Sequence, residues 1–427
     1  MTISRRFDAL VARVPELSEH TVAPPGLRPL PQMDALEREL SDICRAPEAP
    51  PRAFAALGNV LVREGRYVDA LEAYRIAADL DVDDAAAHWA CAEIAHVLDD
   101  IETSTTYRTR ALARRRVFFD PLPVGTRTPV LLLLRDIPYS TNTPLEVLLD
   151  RERVALHKYY VEGNADVPLP AFDVAFCAFG SAHGAAGAIA RTDAFLERVA
   201  GRINDPLLLE RTTRESLAGT LDNVAGLSVA HARVVDADAA ASIPLPALVR
   251  PVDTHAGDGF ARIADRDALV AHLGHYPAQR YHVSDFVEYR SPDGWYRKFR
   301  VIFVDGVAYP YHLAISPQWM VHYQTAPMQL DAGLRAQELA FLEDPRRLVP
   351  AWDTVMPSIA DAIGLDYFGI DATVLPDGSL LVFEADAAML VHDEDARDVF
   401  VAKRPYVARI REALHDAIAR RRPQKTP

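Results

Sequence analysis

The chain has 427 residues, of which 49% are hydrophobic and 25% charged, a composition typical of soluble globular proteins. Single hydrophobic cores stop growing near about 250–300 residues, so this length predicts more than one domain. The net charge of −14 argues against a surface for nucleic acid or anionic membranes. The three separated cysteines form no CxxC pair, and no stretch resembles a signal peptide or a membrane span of ~20 apolar residues, so we expect a cytoplasmic protein.

The first 118 residues have helical patterns. Two Pro-rich joints, VAPPGLRPLP and APEAPP, flank a predicted helix over 33–44 within an N-terminal helical and linker segment, residues 1–48. In a helical domain over 49–118, apolar residues recur at helical spacing on both sides of a turn at REGRY. This domain resembles a tetratricopeptide repeat, whose packing positions are here Phe54, Leu57, Gly58, Leu61, Ala70, Tyr74 and Ala77.

The stretch that follows this repeat-like unit matches the pattern poorly, since Ala95 and Ala111 fit it but Ser104 and Arg108 do not. An independent solenoid needs about three repeats or more, so we expect the unit to pack on another domain or on a partner subunit. Two interpretations stay open. The unit provides a groove that docks a peptide or protein, or it is an ordinary helical hairpin that covers apolar surface.

Residues 119–204 have the pattern of a small doubly wound α/β domain. PVLLLLRD is a continuous apolar run, typical of a buried parallel strand. A capping box at Thr143–Glu146 predicts a helix that continues to about Tyr160, followed by a strand at FDVAFCAF and a helix in the 184–200 region. There is no GxGxxG, so a dinucleotide site is unsupported.

Carboxylates end the apolar strand LLVFEAD. Asp377-Gly378 just before it predicts a two-residue type I′ hairpin, whose register places Asp371 opposite Glu384, with Asp386 on the same face. Two facing carboxylates repel by roughly 3–4 kcal/mol at an effective dielectric near 20. A divalent cation with oxygen ligands would offset this repulsion. The alternative is an exposed hairpin end where water and Arg screen the charges.

Three further segments between 247 and 314 carry candidate binding residues. In ALVRPVDTHAGDGFARI a strand delivers a basic residue to a glycine loop that could cradle phosphate oxygens. VSDFVEY is a strand that ends in acids and could flank a flat base. In RKFRVIFVDGVAYPYHL, Lys298 and Arg300 share one face of a hairpin that turns at Asp305-Gly306, and two such cations favour an anion such as phosphate. Taken singly, each segment is equally typical of an ordinary loop or a solvated strand.

The order of these segments resembles the ATP-grasp superfamily, and in particular the ligases similar to RimK and D-alanine-D-alanine ligase. The most specific match is GID, twelve residues, then EAD, where the family has Glu-x-Asn. The resemblance covers residues from about 120 to 420. It implies that 119–204 is the α/β domain that precedes the ATP-grasp domain, and that 205–422 forms two α+β subdomains that clamp ATP.

The resemblance also implies roles for the matching residues. Those that would bind the nucleotide are Arg214 and Arg250 at the phosphates, Gly257, Asp258 and Gly259 in a mobile phosphate loop, Asp285 and Val287 at the adenine hinge, and Glu288 at the ribose. Lys298, from its place beside Arg300, is a further candidate at the phosphates. Arg300 matches the arginine that meets the transferred phosphoryl group, and Asp371, Glu384 and Asp386 match the Mg²⁺ ligands. The departures are arginines at two lysine positions, Asp386 for Asn, and DAAMLVHD for the usual NPxPG.

The implied activity is that of an ATP- and Mg²⁺-dependent carboxylate–amine ligase that acts through an acyl phosphate on small-molecule or peptide substrates. The resemblance also implies a homodimer, as in many members of the superfamily. An ATP-grasp kinase and a non-catalytic adaptor with a degenerate nucleotide site are the alternatives. The segment HLAISPQWMVHY lies where acceptor contacts could fall, although His312, Trp319, His322 and Tyr323 are equally typical of packing residues.

Overall fold

The computed structural model describes residues 2–14, 17, 32–120, 124–137, 142–143, 145–163, 167–252, 259–323, 325–391 and 398–423. Its internal contacts divide the chain into two compact units. Unit 1 comprises Met1–Leu207, Leu390–Asp395 and Arg411–Pro427, and unit 2 comprises Leu208–Met389 and Ala396–Ile410. Across the described residues, no helix combines the length and the apolar character that a bilayer crossing requires.

Among the described residues, unit 1 begins with six helices. They are α1 (Ile3–Arg13), α2 (Met33–Cys44), α3 (Pro51–Arg63), α4 (Tyr67–Leu80), α5 (Ala85–Val97) and α6 (Ile101–Arg114). The helix predicted over 33–44 is therefore confirmed. The last four helices form two hairpins, in which α5 begins 34 residues after α3, and α6 begins 34 residues after α4.

The two hairpins differ in how their helices pack against each other, and this difference accounts for their different sequences. A Cβ at Gly58 would lie 2.6 Å from the ring of Tyr74, so only glycine allows α3 and α4 to approach around that ring. At the corresponding places of the second hairpin stand Ala92 and Arg108. Arg108 has no ring that would require a glycine on the facing helix. The second hairpin therefore keeps the 34-residue spacing of the first with different residues at these two places.

The α/β part of unit 1 has one five-stranded sheet in the order β1-β3-β2-β4-β5. Its elements are β1 (Val117–Phe118), β2 (Thr128–Leu134), α7 (Leu145–Leu148), β3 (Val154–Tyr160), β4 (Val174–Cys177), α8 (Ala186–Leu196) and β5 (Arg202–Ile203). All neighbours are parallel except β1 and β3. The predicted helix to Tyr160 is wrong, because VALHKYY pairs along the whole of β2 as a buried parallel strand.

The described part of unit 2 contains two sheets, one of four strands (β7-β10-β8-β9) and one of five (β12-β11-β13-β14-β6). Its strands are β6 (Leu227–Val229), β7 (Ala232–Asp236), β8 (Ala247–Pro251), β9 (Ala261–Ile263), β10 (Arg280–Asp285), β11 (Tyr296–Val304), β12 (Val307–Ser316), β13 (Tyr367–Val374) and β14 (Leu380–Asp386). Its helices are α9 (Leu217–Leu221), α10 (Ala237–Ala240), α11 (Arg266–His275), α12 (Ala332–Glu343) and α13 (Trp352–Ile363), and α14 (Arg404–Arg421) follows. Helical hairpins, an α/β sheet and largely antiparallel sheets confirm the predicted fold class.

The five-stranded sheet owes its two faces to the alternation of side chains along β11. Phe299, Val301 and Phe303 are fully buried; Phe299 contacts Phe341 of α12, and Phe303 stacks on Phe368 of β13 at 4.4 Å. Lys298 and Arg300 alternate with them and therefore point to the other face. Asp305 and Gly306 both have positive φ, as the two-residue turn predicted between β11 and β12 requires. One sheet face is therefore core, and the other carries the charged residues.

Candidate functional site

The hairpin of β13 and β14 differs from the prediction at its turn. Gly378 has φ +85° but Asp377 does not adopt a positive φ, so the turn is not type I′. The N–H of Gly378 donates to the carbonyl of Leu375, and the N–H of Leu375 donates to the carbonyl of Ser379, which closes a three-residue loop. The register near the turn is therefore shifted by one residue from the predicted one.

A second irregularity restores the predicted pairing further along. Ala372 pairs with Val382, but the next pair is Asp371 with Glu384, so Phe383 is an extra residue in β14. The bulge at Phe383 compensates for the longer turn. Asp371 consequently lies opposite Glu384, and Asp386 lies opposite Gly369.

Four polar residues form one row across four neighbouring strands. His312 on β12 pairs with Arg300 on β11, Arg300 pairs with Asp371 on β13, and Asp371 pairs with Glu384 on β14. Directly paired residues lie on the same face of a sheet. An imidazole, a guanidinium and two carboxylates are thus brought side by side from four strands.

Asp371 is the most enclosed member of this row, with 1% of its side chain exposed. Arg300 donates through Nε to Oδ1 at 2.7 Å and through Nη2 to Oδ2 at 3.1 Å, and Lys298 Nζ donates to Oδ2 at 2.8 Å. Burial alone would raise the pKa of Asp371, but Arg300 and Lys298 hold that pKa well below its usual range. The two cations therefore offset the carboxylate repulsion anticipated for this hairpin.

The other two carboxylates, Glu384 and Asp386, are half-buried. Arg214 Nη2 lies 3.2 Å from Glu384 Oε2, and both side chains are 37% exposed. Asp386 accepts the N–H of Ala388 at 2.7 Å. Burial raises the pKa of Asp386 to about 6. The hydrogen bond from the N–H of Ala388 lowers this pKa, and the negative charge of Glu384 raises it. Within the described part of the chain, no three His, Cys, Asp or Glu side chains are grouped as they would be around a metal ion.

A cleft of about 260 Å³ in unit 2 adjoins this row. The predicted site residues that line it are Arg214, Arg250, Asp285, Val287, Lys298 and Glu384. Its apolar wall is aromatic, since Trp319 meets the rings of Phe260 and Phe286 edge-on, each at 5.6 Å. The guanidinium of Arg262 lies 3.8 Å from the centre of the Phe286 ring, on which it packs. The cleft thus combines a wall suited to a flat ring with basic groups suited to an anion.

The remaining predicted residues lie elsewhere. Glu288 does not line the cleft; its carboxylate accepts the N–H of Arg290 at 3.0 Å. Gly259 has φ +61°, and a Cβ there would lie 2.7 Å from Cδ of Pro251, so this end of the predicted phosphate loop requires glycine. Gly257 and Asp258 lie outside the described residues.

Sequence reasoning did not single out Phe260, Arg262 and His282, which lie at or beside the cleft. Nor did it anticipate the place of Trp319 in the wall of the cleft, since the sequence suggested an acceptor contact or a packing residue. The signal was available for Phe260, which follows the glycine loop directly. No such signal was available for Trp319, because this residue lies in the loop after β12, far in sequence from Phe260 and Phe286.

A buried polar network lies beyond His312. Lys403 Nζ is 2.9 Å from Glu338 Oε1 and donates to the hydroxyl of Tyr323 at 2.8 Å, and that hydroxyl donates to Glu338 Oε2 at 3.0 Å. His312 stacks on Tyr323 at 4.5 Å, is 4% exposed, and has no hydrogen-bond partner for either ring nitrogen among the residues that the structure describes. Burial, and next the charges of Arg300 and Lys403, hold the pKa of His312 well below its usual range.

No protein-family model and no curated protein matches the chain. Several solved structures are similar to it. A RimK domain ATP-grasp protein from Sphaerobacter thermophilus is 15% identical over 68% of this chain and 100% of that chain, with a TM-score of 0.39. The VanG D-Ala:D-Ser ligase of Enterococcus faecalis is 10% identical over 68% and 99%, with a TM-score of 0.43. D-alanyl-alanine synthetase A of Vibrio cholerae is 13% identical over 69% and 98%, with a TM-score of 0.44.

Proposed function

We propose that the chain is an ATP-dependent carboxylate–amine ligase of the ATP-grasp type. One observation carries the proposal: the charged row of the five-stranded sheet, with Lys298 beside it, adjoins an aromatic-lined cleft in the same unit. The sequence resemblance supports it independently, because the order of basic strand, acidic strand end, basic hairpin and acidic hairpin matches that superfamily. Together they support a site that binds a nucleotide and transfers its terminal phosphoryl group.

The nucleotide would occupy the cleft with its base against the aromatic wall. Phe286 and Trp319 offer apolar surface to a flat ring, and the backbone from Asp285 to Val287 provides donors and acceptors for its polar edge. Arg250 and Lys298 supply positive charge for the phosphates. The base would therefore be bound by packing and the phosphates by charge.

The resemblance implies Mg²⁺, and the donors at the end of β14 fit it. Glu384 and Asp386 are hard oxygen donors two residues apart on one strand face, and their combined charge matches that of a divalent cation. These two residues would hold the ion, which when bound would neutralise charge on the transferred phosphoryl group. Asp371, the third residue of the predicted set, already has two cationic partners.

In the proposed reaction, a carboxylate oxygen of the substrate bonds to the γ-phosphorus of ATP while the bond from that phosphorus to the bridging oxygen breaks and ADP leaves. An amine then attacks the carbonyl carbon of the acyl phosphate, the bond to the phosphate oxygen breaks, and the nitrogen loses a proton. Arg300 lies at the centre of the row and would stabilise the negative charge that develops in both steps. No protein nucleophile is required.

For the helical part of unit 1 we propose a tetratricopeptide-like docking role, with a peptide as the substrate or partner. The 34-residue offset between the two hairpins supports it. Asn59 also donates from Nδ2 to the main-chain carbonyl of Leu17 at 3.1 Å, while its Oδ1 accepts the hydroxyl of Tyr74. The side-chain amide of Asn59 thus already binds one main-chain carbonyl from outside α3.

The proposal is tested by calorimetry of ATP in the presence of Mg²⁺ on the wild type, Glu384→Gln and Glu343→Gln. Glu343 is the matched control, because it is exposed on α12 and pairs only loosely with Arg347 at 3.8 Å. We expect Glu384→Gln to weaken binding by about tenfold or more and the control to leave it unchanged. Release of free phosphate with an acid and an amine then supports a ligase, whereas a phosphorylated product without free phosphate supports a kinase. Absence of ATP binding by the wild type supports an adaptor.

A further inference from the structure

His282 lies on β10, an inner strand of the four-stranded sheet, and faces the cleft. It pairs directly with Arg250 of β8 and with Val234 of β7, so these three side chains share one face of the sheet. His282 and Arg250 both line the cleft. The other face of β10 carries Tyr281 and Val283, which are buried in an apolar core. The strand thus presents an imidazole beside one of the arginines proposed to bind the phosphates.

A carboxylate lies beside this imidazole. Nδ1 of His282 is 3.6 Å from Oε1 of Glu215, and the His282 side chain is 11% exposed. This distance is too long for a direct hydrogen bond, but it is short enough for the carboxylate to stabilise a protonated ring. Because Nδ1 faces Glu215, Nε2 is the nitrogen that would donate to a ligand in the cleft.

Glu215 and its neighbour Arg214 connect this imidazole to the charged row. Arg214 Nη2 reaches Glu384 Oε2 on β14 of the five-stranded sheet, whereas Glu215 reaches His282 on the four-stranded sheet. Two consecutive residues therefore contact both sheets that border the cleft. Arg214, Arg250 and His282 all line it. Two guanidinium groups and one group that can become cationic thus lie in the cleft where the phosphates are proposed to bind.

We infer that His282 is a further phosphate-binding residue, which donates from Nε2 of its protonated ring to a phosphate oxygen of the nucleotide, with Glu215 as its positioning partner. This inference rests on the proposed function and deepens it. Histidine side chains change their charge between pH 5 and 8, and a polyphosphate favours the charged form. ATP binding should therefore be accompanied by uptake of a proton at His282 and should become tighter as the pH falls from 8 to 6.

The other charged groups around His282 do not account for such a pH dependence. Arginine and glutamate side chains keep their charge between pH 6 and 8, which applies to Arg214, Arg250 and Glu215. His322 also lines the cleft, but burial and the charge of Lys298 lower its pKa, so it takes up a proton less readily. The pH dependence that the protein contributes to ATP binding should therefore arise chiefly from His282.

The experiment measures Mg²⁺–ATP and adenosine binding by calorimetry at pH 6 and pH 8, on full-length wild type, His282→Gln and His275→Gln. His275 is the matched control, an exposed histidine of α11 that does not line the cleft. We expect His282→Gln to weaken ATP binding by about tenfold at pH 6 and by less than about threefold at pH 8, with adenosine affinity unchanged. The control should match the wild type, so protonation of ATP itself cancels in the comparison.

Three results overturn the inference: ATP affinity at pH 6 that is equal in His282→Gln and the wild type, an equal loss at both pH values, or a loss of adenosine affinity, which indicates a structural role. A measurement on the wild type alone keeps the test decisive if His282→Gln does not fold. Calorimetry at pH 7 in two buffers of different ionisation enthalpy should show net proton uptake on ATP binding, and its absence overturns the inference. A wild type that binds Mg²⁺–ATP while these expectations fail refutes only the inference, whereas a wild type that binds neither ATP nor adenosine refutes the proposed function as well.

Discussion

The buried pair of Lys403 and Glu338 permits a quantitative test of how unit 2 is stabilised. The two side chains are 2% and 1% exposed, and their charged atoms are 2.9 Å apart. Among the described residues, Lys403→Met leaves the Glu338 carboxylate with two neutral donors, the hydroxyl of Tyr323 and the N–H of Leu313 at 3.3 Å. Removal of one partner of a buried pair costs about 3–5 kcal/mol, and we expect this loss in the free energy of unfolding at pH 8.

The loss should depend on pH in a definite direction. Burial already raises the pKa of Glu338, against the opposing effect of Lys403. Without Lys403 that pKa rises further, so the folded protein takes up a proton before the unfolded chain does as the pH is lowered. The penalty of Lys403→Met is therefore greatest above the raised pKa and shrinks on acidification.

The assay is urea unfolding followed by tryptophan fluorescence, which reports mainly on unit 2 because Trp295, Trp319 and Trp352 lie there. Adding Glu338→Gln to Lys403→Met removes the unpaired charge. The amide oxygen can still accept the N–H of Leu313, and the amide nitrogen can donate to the hydroxyl of Tyr323, so the double variant should recover most of the loss. The matched control is Arg347→Met, whose pair with Glu343 is exposed and should cost less than about 1 kcal/mol.

Two results would refute this reasoning. The first is a double variant whose loss equals the sum of the two single losses, because independent effects leave no coupling between Lys403 and Glu338. The second is a loss of unfolding free energy in Lys403→Met no larger than that in Arg347→Met, since the buried pair would then stabilise the protein no more than an exposed one.

Three further predictions concern other parts of the molecule. The pKa of His312 is lower in the folded protein than in the unfolded chain, so the unfolded chain binds the proton first on acidification. Below about pH 6.5 the free energy of unfolding should therefore fall by up to about 1.4 kcal/mol per pH unit. His312→Asn should reduce this slope in urea titrations at pH 5–7. Trp319→Ala should weaken ATP binding by about tenfold in calorimetry, since it removes part of the aromatic wall, and unchanged affinity would place the base elsewhere. Gly58→Ala should destabilise the α-helical part of unit 1 by about 1–3 kcal/mol in circular dichroism melts because of Tyr74, whereas Gly219→Ala, with open space around it, should be neutral or stabilising.

The β13–β14 hairpin shows how local reasoning reached a correct pairing through an incorrect turn. The prediction assumed a two-residue turn and an unbroken ladder, whereas the structure has a three-residue loop and a bulge at Phe383. The two irregularities cancel, so Asp371 and Glu384 still face each other. Bulges depend on packing across the whole sheet, and a dipeptide signal such as Asp377-Gly378 does not contain that information.

The segment before Tyr160 shows the opposite case. A capping box favours a helix start, and the predicted helix did begin at Leu145, but it ends at Leu148. The residues from Val154 onward pair with β2 over seven positions and are almost all buried. Tertiary pairing with an existing strand outweighed the local preference, which amounts to only a few tenths of a kcal/mol per residue.

By itself the sequence determined the features that follow from short-range alternation and turn chemistry. These include the shared face of Lys298 and Arg300, the turn at Asp305-Gly306, and the carboxylates at the end of β14. Only the tertiary structure decided which charges meet. Arg300 and Asp371 are 71 residues apart in the chain, and Lys403 reaches Tyr323 from 80 residues away. No local pattern specifies such partners, because they arise from the antiparallel pairing of β11 with β13 and from the packing that encloses each buried charge with its counter-ion.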